Sequence, residues 1–330
     1  GRSMAQLILE ISGPRLGSTS FRRKLEGFGG ILSVGELYHP KPDAHCDHVE
    51  ALLESCRRLG HAPGSDGLAL RRWAATAPVE AAEVALEAAR AAGRPHVVVK
   101  AGLGNPGGPG LARVIDVHRP IGLLLLRAPI DQYISRQKAL SLGAWRSVDT
   151  TEMRPRIDVA AFRAARRRQQ NHYRMGLYLL RRAGCPVAIL RYEELYAEGR
   201  DPLEVIRETF AEVGVSLPPA TSPTDDLARQ DRSRERSEKV ANWGDFQAEM
   251  ARLGALEELD HVDLAFRPSL MRAQLAVERV ASRALLRRVS QWTGMSGMPE
   301  HARGQSRAGA GTGAERRAAK SPIGEAGRRD

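Results

Sequence analysis

The amino-acid sequence predicts an α/β domain, a mainly parallel sheet covered by helices on both faces. Three observations predict it. Short apolar runs without polar alternation recur along the chain, as strands buried on both faces require. Stretches rich in Ala, Leu and Glu, or with apolar residues at helical spacing, lie between them. The two kinds of segment alternate, the order that parallel strands with crossover helices need.

Gln6 to Ile11 (QLILEI) is the first strand, running into Ser12-Gly13-Pro14 and a Gly-containing loop. Phe21 to Phe28 follows as a helix, with Ser18, Thr19 or Ser20 available as N-cap. Ile31 to Val34 is a second strand, and Asp43–Arg58 and Pro78–Ala92 are helices. Pro95 to Lys100 (PHVVVK) is a β-branched strand, followed by the loop AGLGNPGGPG and a helix from Leu111 to His118. Ile121 to Leu126 (IGLLLL) is the clearest buried strand, with a helix from Pro129 to Leu142 after it. Phe162, Ala165, Gln169, Tyr173, Leu177 and Leu180 mark one face of a long Arg-rich helix. Pro186 to Leu190 is the last strand, and Leu203 to Val213 the helix beyond it.

The chain has 330 residues, enough for one large domain, and 42% of them are apolar. Residues 5–298 are read as a single α/β domain. Residues 1–4 (GRSM) read as a cloning remnant. From His301 to Asp330 there are seven Arg/Lys against three Asp/Glu and no hydrophobic period, so residues 299–330 read as a basic, disordered tail. Three cysteines at irregular spacing make neither a disulfide framework nor a zinc site. No run reaches the ~20 apolar residues of a membrane span, and a cytoplasmic protein is the expectation. The formal charge of +11 suits an anionic ligand, a nucleic acid or an acidic surface.

The first strand ends at Pro14-Arg15-Leu16-Gly17-Ser18-Thr19-Ser20. A Gly-containing loop opening a helix presents backbone N–H groups and the positive end of a dipole to phosphate. The hydroxyls of Ser18 and Thr19 add donors, and Arg15 adds a charge-assisted partner. The loop is not the G-x-x-x-x-G-K-[ST] of P-loop NTPases: its spacing is one shorter and no Lys precedes Ser18. No Asp ends the IGLLLL strand to hold magnesium.

P-R-x-G-S-T is similar to the 5′-phosphosulfate loop of bacterial sulfotransferases, including those acting on nodulation factors and glycolipids. Gly35-Glu36-Leu37-Tyr38-His39-Pro40 resembles their G-E-[IL]-[FY] segment. Arg127-Ala128-Pro129-Ile130-Asp131, with Ser135, resembles the R-x-P-x-D-x-x-x-S motif for the 3′-phosphate. Leu142-Gly143-Ala144-Trp145 resembles T-G-x-W with Leu in place of Thr, and Tyr192-Glu193-Glu194-Leu195 resembles Y-E-[DE]-L. Arg229-Gln230 and Lys239-Val240-Ala241-Asn242-Trp243 resemble the C-terminal R-Q and K-[IV]-x-N-[YW] elements. The resemblance runs from Ile11 to about Phe246. It departs at the basic Phe21-Arg22-Arg23-Lys24 helix and at the Lys100 loop.

The resemblance implies a P-loop-NTPase-like three-layer fold with a short, mainly parallel central sheet. It also implies 3′-phosphoadenosine 5′-phosphosulfate (PAPS) as sulfuryl donor, 3′-phosphoadenosine 5′-phosphate (PAP) as product, and no required metal. Pro14, Arg15, Leu16, Gly17, Ser18, Thr19 and Ser20 would hold the 5′-phosphosulfate, with Arg15 on the leaving phosphate. Arg127 and Ser135 would take the 3′-phosphate and Tyr192 the adenine. Arg229, Lys239 and Asn242 are carried by resemblance alone. Glu36 is the expected general base, with His39, His45 and His48 as rivals. Lys100 and Trp145 fall on the sulfate or acceptor side. The acceptor expected is a hydroxyl of a carbohydrate or glycolipid, with a small-molecule alcohol or phenol as the alternative. Arg166, Arg167 and Arg168 read as a solvated helix face. A nucleotide kinase or NTPase, a nucleic-acid-binding protein and a PAPS-binding protein without transfer activity are the alternatives. Aromatic content of 5% and the lack of a helix-turn-helix or RNP-like motif argue against nucleic acid.

Overall fold

The structure, a computed structural model, describes residues 5–42, 44–142, 149–220 and 235–294, with side chains to residue 281. Five strands form one all-parallel sheet in the order β2-β3-β1-β4-β5. The strands are β1 (Gln6–Ile11), β2 (Ile31–Gly35), β3 (His96–Ala101), β4 (Ile121–Leu126) and β5 (Val187–Arg191). All six residues of the IGLLLL strand are buried, which fits its place inside the sheet.

Helices flank the sheet in a three-layer α/β arrangement. In chain order they are α1 (Ser18–Gly27), α2 (Val49–Arg58), α3 (Gly67–Thr76), α4 (Pro78–Ala91), α5 (Gly108–His118) and α6 (Pro129–Leu142). Next come α7 (Val159–Arg182), α8 (Tyr192–Leu195), α9 (Pro202–Ala211), α10 (Arg236–Lys239), α11 (Trp243–Arg252) and α12 (Pro268–Gly294). α4 lies on β1, β2 and β3, α7 on β4 and β5. A main core spans both faces of the sheet, and a smaller one joins α6, α7 and α11 through Ile134, Phe162 and Phe246. The chain divides after Ser282 into two compact units.

Three expectations need correction. α2 begins at Val49 rather than Asp43, because the preceding segment turns back to bridge Gly35 with Cys46. The sequence reading missed α3, whose start is set by Asp66 accepting from the N–H groups of Leu68 and Ala69. Finally, none of Ser18, Thr19 or Ser20 caps α1. Gly17 holds the N-cap position at φ 73°, with no side-chain cap, and the hydroxyl residues form the first turn.

The strand order places a topological switch point between β1 and β4. β1 connects toward β2 on one side and β4 toward β5 on the other. The crevice opened at such a point is where open α/β sheets bind ligands.

Candidate functional site

The loop after β1 and the turn after β4 meet at that crevice. Arg15 Nε donates to Ser135 Oγ at 3.1 Å, and Arg127 donates to the Arg15 carbonyl at 3.0 Å. The segments expected to be the phosphosulfate loop and the 3′-phosphate motif therefore adjoin. Burial and the Arg127 charge both push the Arg15 guanidinium down from its ordinary value. Two guanidiniums held together in a half-buried crevice are an electrostatic liability that a bound anion would offset.

The loop's shape follows from its backbone. Arg15 (φ 64°) and Gly17 (φ 73°) both sit in the left-handed region, so the chain curls tightly there. A Cβ at Gly17 would stand 2.7 Å from Tyr192 Cε2, so the tyrosine ring lies directly on this glycine. Arg127 stacks over the same ring, 4.4 Å from its centre. Tyr192 is thus seated between the loop and Arg127. Leu16 is fully buried in the core, so only its backbone faces a ligand. Ser20 Oγ and Tyr196 OH lie 2.9 Å apart, tying α1 to the segment after β5.

On the other side, Lys100 extends from β3. Its Nζ donates to Ser18 Oγ at 3.2 Å and to Glu36 Oε1 at 2.8 Å. Lys100 is buried and Glu36 three-quarters buried. Burial raises the Glu36 carboxyl, but the charge and hydrogen bond of Lys100 outweigh it. With help from the His45 N–H and Arg22, they hold the group down to about 2. Left so paired, Glu36 is a weak base.

The rival histidines have other partners. His45 pairs with Asp47 at 2.5 Å and His48 with Glu26 at 2.8 Å. His39 Nδ1 accepts from the Lys41 N–H in the same loop. Lys239 is buried near Asp131, on which its charge acts. Asn242 holds the backbone of Ile157 through both ends of its amide, at 2.9 Å each. Of the expected solvated arginines, Arg167 and Arg168 are exposed. Arg166 is a correction: it pairs with Glu258 and donates to the His261 carbonyl, anchoring the C-terminal segment. Trp145 and Arg229 lie outside the described residues.

The sequence reading missed several residues that shape the site. Gln132 donates to the Pro14 carbonyl at 2.6 Å and is itself held by Gln169, fixing the loop's start. Glu193 accepts from the Ala128 N–H at 2.8 Å and sets the turn that carries Arg127. Arg22 is 3% exposed, and its Nε and Nη1 have no hydrogen-bond partner. His172, against the Ala101 carbonyl, is pushed down to about 4 by burial and by Lys100. Only the unusually basic start of α1 hinted at Arg22; isolated Gln and His residues on helices give no signal.

No family model matches the chain, and no curated protein matches it. Among the described residues no helix is long and apolar enough to cross a membrane.

Proposed function

We propose that the chain is a sulfotransferase that moves the sulfuryl group of PAPS to an acceptor hydroxyl, that of a carbohydrate or glycolipid. One observation carries the reading. Across the sheet edge, β2, β3, β1 and β4 lead in turn to Glu36, Lys100, the Arg15 loop and Arg127. That is the order in which a transfer complex needs a base, a sulfuryl-binding cation, a leaving-phosphate cation and a 3′-phosphate site.

In the proposed reaction the acceptor oxygen forms a bond to sulfur while the bond from sulfur to the bridging oxygen of the 5′-phosphate breaks. Arg15 and the first turn of α1 take the charge that develops on the leaving phosphate. Lys100 leaves Glu36 for the sulfuryl oxygens. Glu36, freed from its ion pair, accepts the hydroxyl proton. Arg127 and Ser135 hold the 3′-phosphate, and Tyr192 keeps Arg127 over the loop. In P-loop NTPases the loop Ser/Thr holds magnesium; here Ser18 Oγ is engaged by the Lys100 ammonium.

The test is calorimetric titration of PAP without metal, on the wild type and on Arg15→Ala and Arg127→Ala. Micromolar binding that each substitution weakens at least tenfold, about 1.4 kcal/mol, is the expected result. A folded wild type that ignores PAP and binds ATP with magnesium would overturn the proposal in favour of a kinase.

A further inference from the structure

A second surface, away from the Arg15–Arg127 crevice, has its own chemistry. The C-terminal half of α7 and the first half of α12 frame an open groove of about 650 Å³. Tyr178, Phe266 and Leu275 supply its apolar floor, and Arg181, Arg182, Arg272 and Arg279 stand around it. Arg182 is paired with Asp116, and Arg181 leans over the Phe266 ring at 5.9 Å. Beside the groove, α12 turns apolar side chains to solvent: Leu270 is 57% exposed, Val277 68% and Val280 67%. With 3.6 residues per turn, positions 270, 273, 277 and 280 fall on one stripe, and 272 and 279 on the flank facing the groove. The opposite side of the helix is buried through Met271 and Leu275.

The charge of the helix is one-sided. From Pro268 to Gly294 it has five arginines, at 272, 279, 283, 287 and 288, against the single carboxylate Glu278. That carboxylate is occupied, accepting from the Gly108 N–H at 3.0 Å and from Gln274. An apolar stripe bordered by arginines, on a helix already docked by its other side, is the pattern of an interfacial helix.

We propose that this face docks onto an anionic lipid bilayer. The aliphatic stripe would enter the headgroup boundary while Arg272, Arg279 and Arg181 meet lipid phosphates, their stems lying along the apolar floor. The arginines select the occupant. A second copy would bring the same positive face, and residues 301–330 carry seven basic against three acidic side chains, so like charge opposes both. Duplex nucleic acid would satisfy the arginines but leave Val277, Val280 and Leu270 in water. Docking here would hold the protein by α12, whose Glu278 also secures the start of α5, just past the β3 strand that carries Lys100. The proposal does not rest on sulfuryl transfer, and its test uses no donor.

The full chain would be floated with vesicles of phosphatidylcholine alone and of phosphatidylcholine with about 30% phosphatidylglycerol, at low and high salt. Binding to the anionic vesicles at least tenfold above the neutral ones, weakened by salt, is expected. Arg272→Gln with Arg279→Gln should lower partitioning about twenty-fivefold, at roughly fivefold per arginine. Val277→Asp with Val280→Asp should abolish it, whereas Arg57→Gln with Arg58→Gln on the distant α2 should change it less than threefold. All substituted side chains are exposed, and unchanged thermal unfolding confirms the fold of each variant. Equal binding to both vesicle types, or binding that survives Val277→Asp/Val280→Asp, overturns the proposal. So does a dimer that this double variant converts to monomers, or tighter binding to random duplex DNA than to the anionic vesicles.

Discussion

Lys100 and Glu36 allow a quantitative test that needs no ligand. Glu36 ionises near 2 in the folded chain against an ordinary value of 4.5. The folded state therefore prefers the carboxylate, and the resulting stabilisation is complete above about pH 4.5 and lost as pH falls toward about 2. A gap of this size corresponds to about 3 kcal/mol at neutral pH, of which roughly 1.4 kcal/mol is already gone at about pH 3.5. Urea unfolding of the wild type, Lys100→Met, Glu36→Gln and the double variant measures it as a double-mutant cycle. Glu36→Gln strands a buried ammonium and should cost about 3 kcal/mol or more. Adding Lys100→Met should then restore part of the loss, since no charge remains buried. The coupling should shrink by roughly 1.4 kcal/mol between pH 7 and about pH 3.5. A coupling below about 0.5 kcal/mol at neutral pH, or equal acid sensitivity in wild type and Glu36→Gln, would refute the pairing.

Two further substitutions probe the supports of the site. Gly17→Ala places a Cβ 2.7 Å from Tyr192 Cε2 at φ 73°, and should cost about 1–3 kcal/mol in thermal unfolding and weaken PAP binding. Adding Tyr192→Ala should recover the steric share of that loss; no recovery would place the strain elsewhere. Asn242→Ala removes both bonds to Ile157 and should destabilise the chain by about 1–3 kcal/mol. A change under about 0.5 kcal/mol in urea unfolding would show that water replaces the amide there.

Much of the sheet was legible in the sequence because its strands are short, unbroken apolar runs. QLILEI, PHVVVK and IGLLLL announce themselves, and their order in the chain does not depend on long-range contacts. What the runs do not carry is which strand lies beside which. β3 inserts between β2 and β1, and nothing local to His96–Ala101 encodes that choice. Residues 43–48 read as the start of a helix, yet residues 44–48 fold back on β2, bridging Gly35 with Cys46. The same limit applies to the site. Arg15, Arg127 and Ser135 were visible because they end strands or follow them at motif spacing. Gln132 and Glu193 act by bonding backbone atoms, and Gln169 by bonding the Gln132 side chain, each more than 30 residues away, which no local pattern records. Arg22 was visible only as one more basic residue, and its burial follows from α1 packing against β2.

The proposed chemistry depends on this long-range order. Along the chain the key groups come as Arg15, Glu36, Lys100 and Arg127, which puts the leaving-group cation next to the base. The sheet rearranges them, since β3 lies between β2 and β1. Lys100 therefore stands between Glu36 and the Arg15 loop, hydrogen-bonded to Glu36 and to Ser18. In-line transfer needs the acceptor oxygen, the sulfur and the leaving oxygen in that sequence, with the base and the leaving-group cation on opposite sides of the sulfuryl group. With strands about 4.8 Å apart, β3, β1 and β4 spread three cations over roughly 10 Å. Negative charge in PAPS is distributed in the same order, from sulfuryl to 5′-phosphate to 3′-phosphate. A nucleoside triphosphate, whose charge follows one linear chain, would leave Arg127 without its phosphate. PAP should therefore lose far more affinity than ATP when Arg127 is replaced, and equal losses would mean that the row of cations does not read the 3′-phosphate.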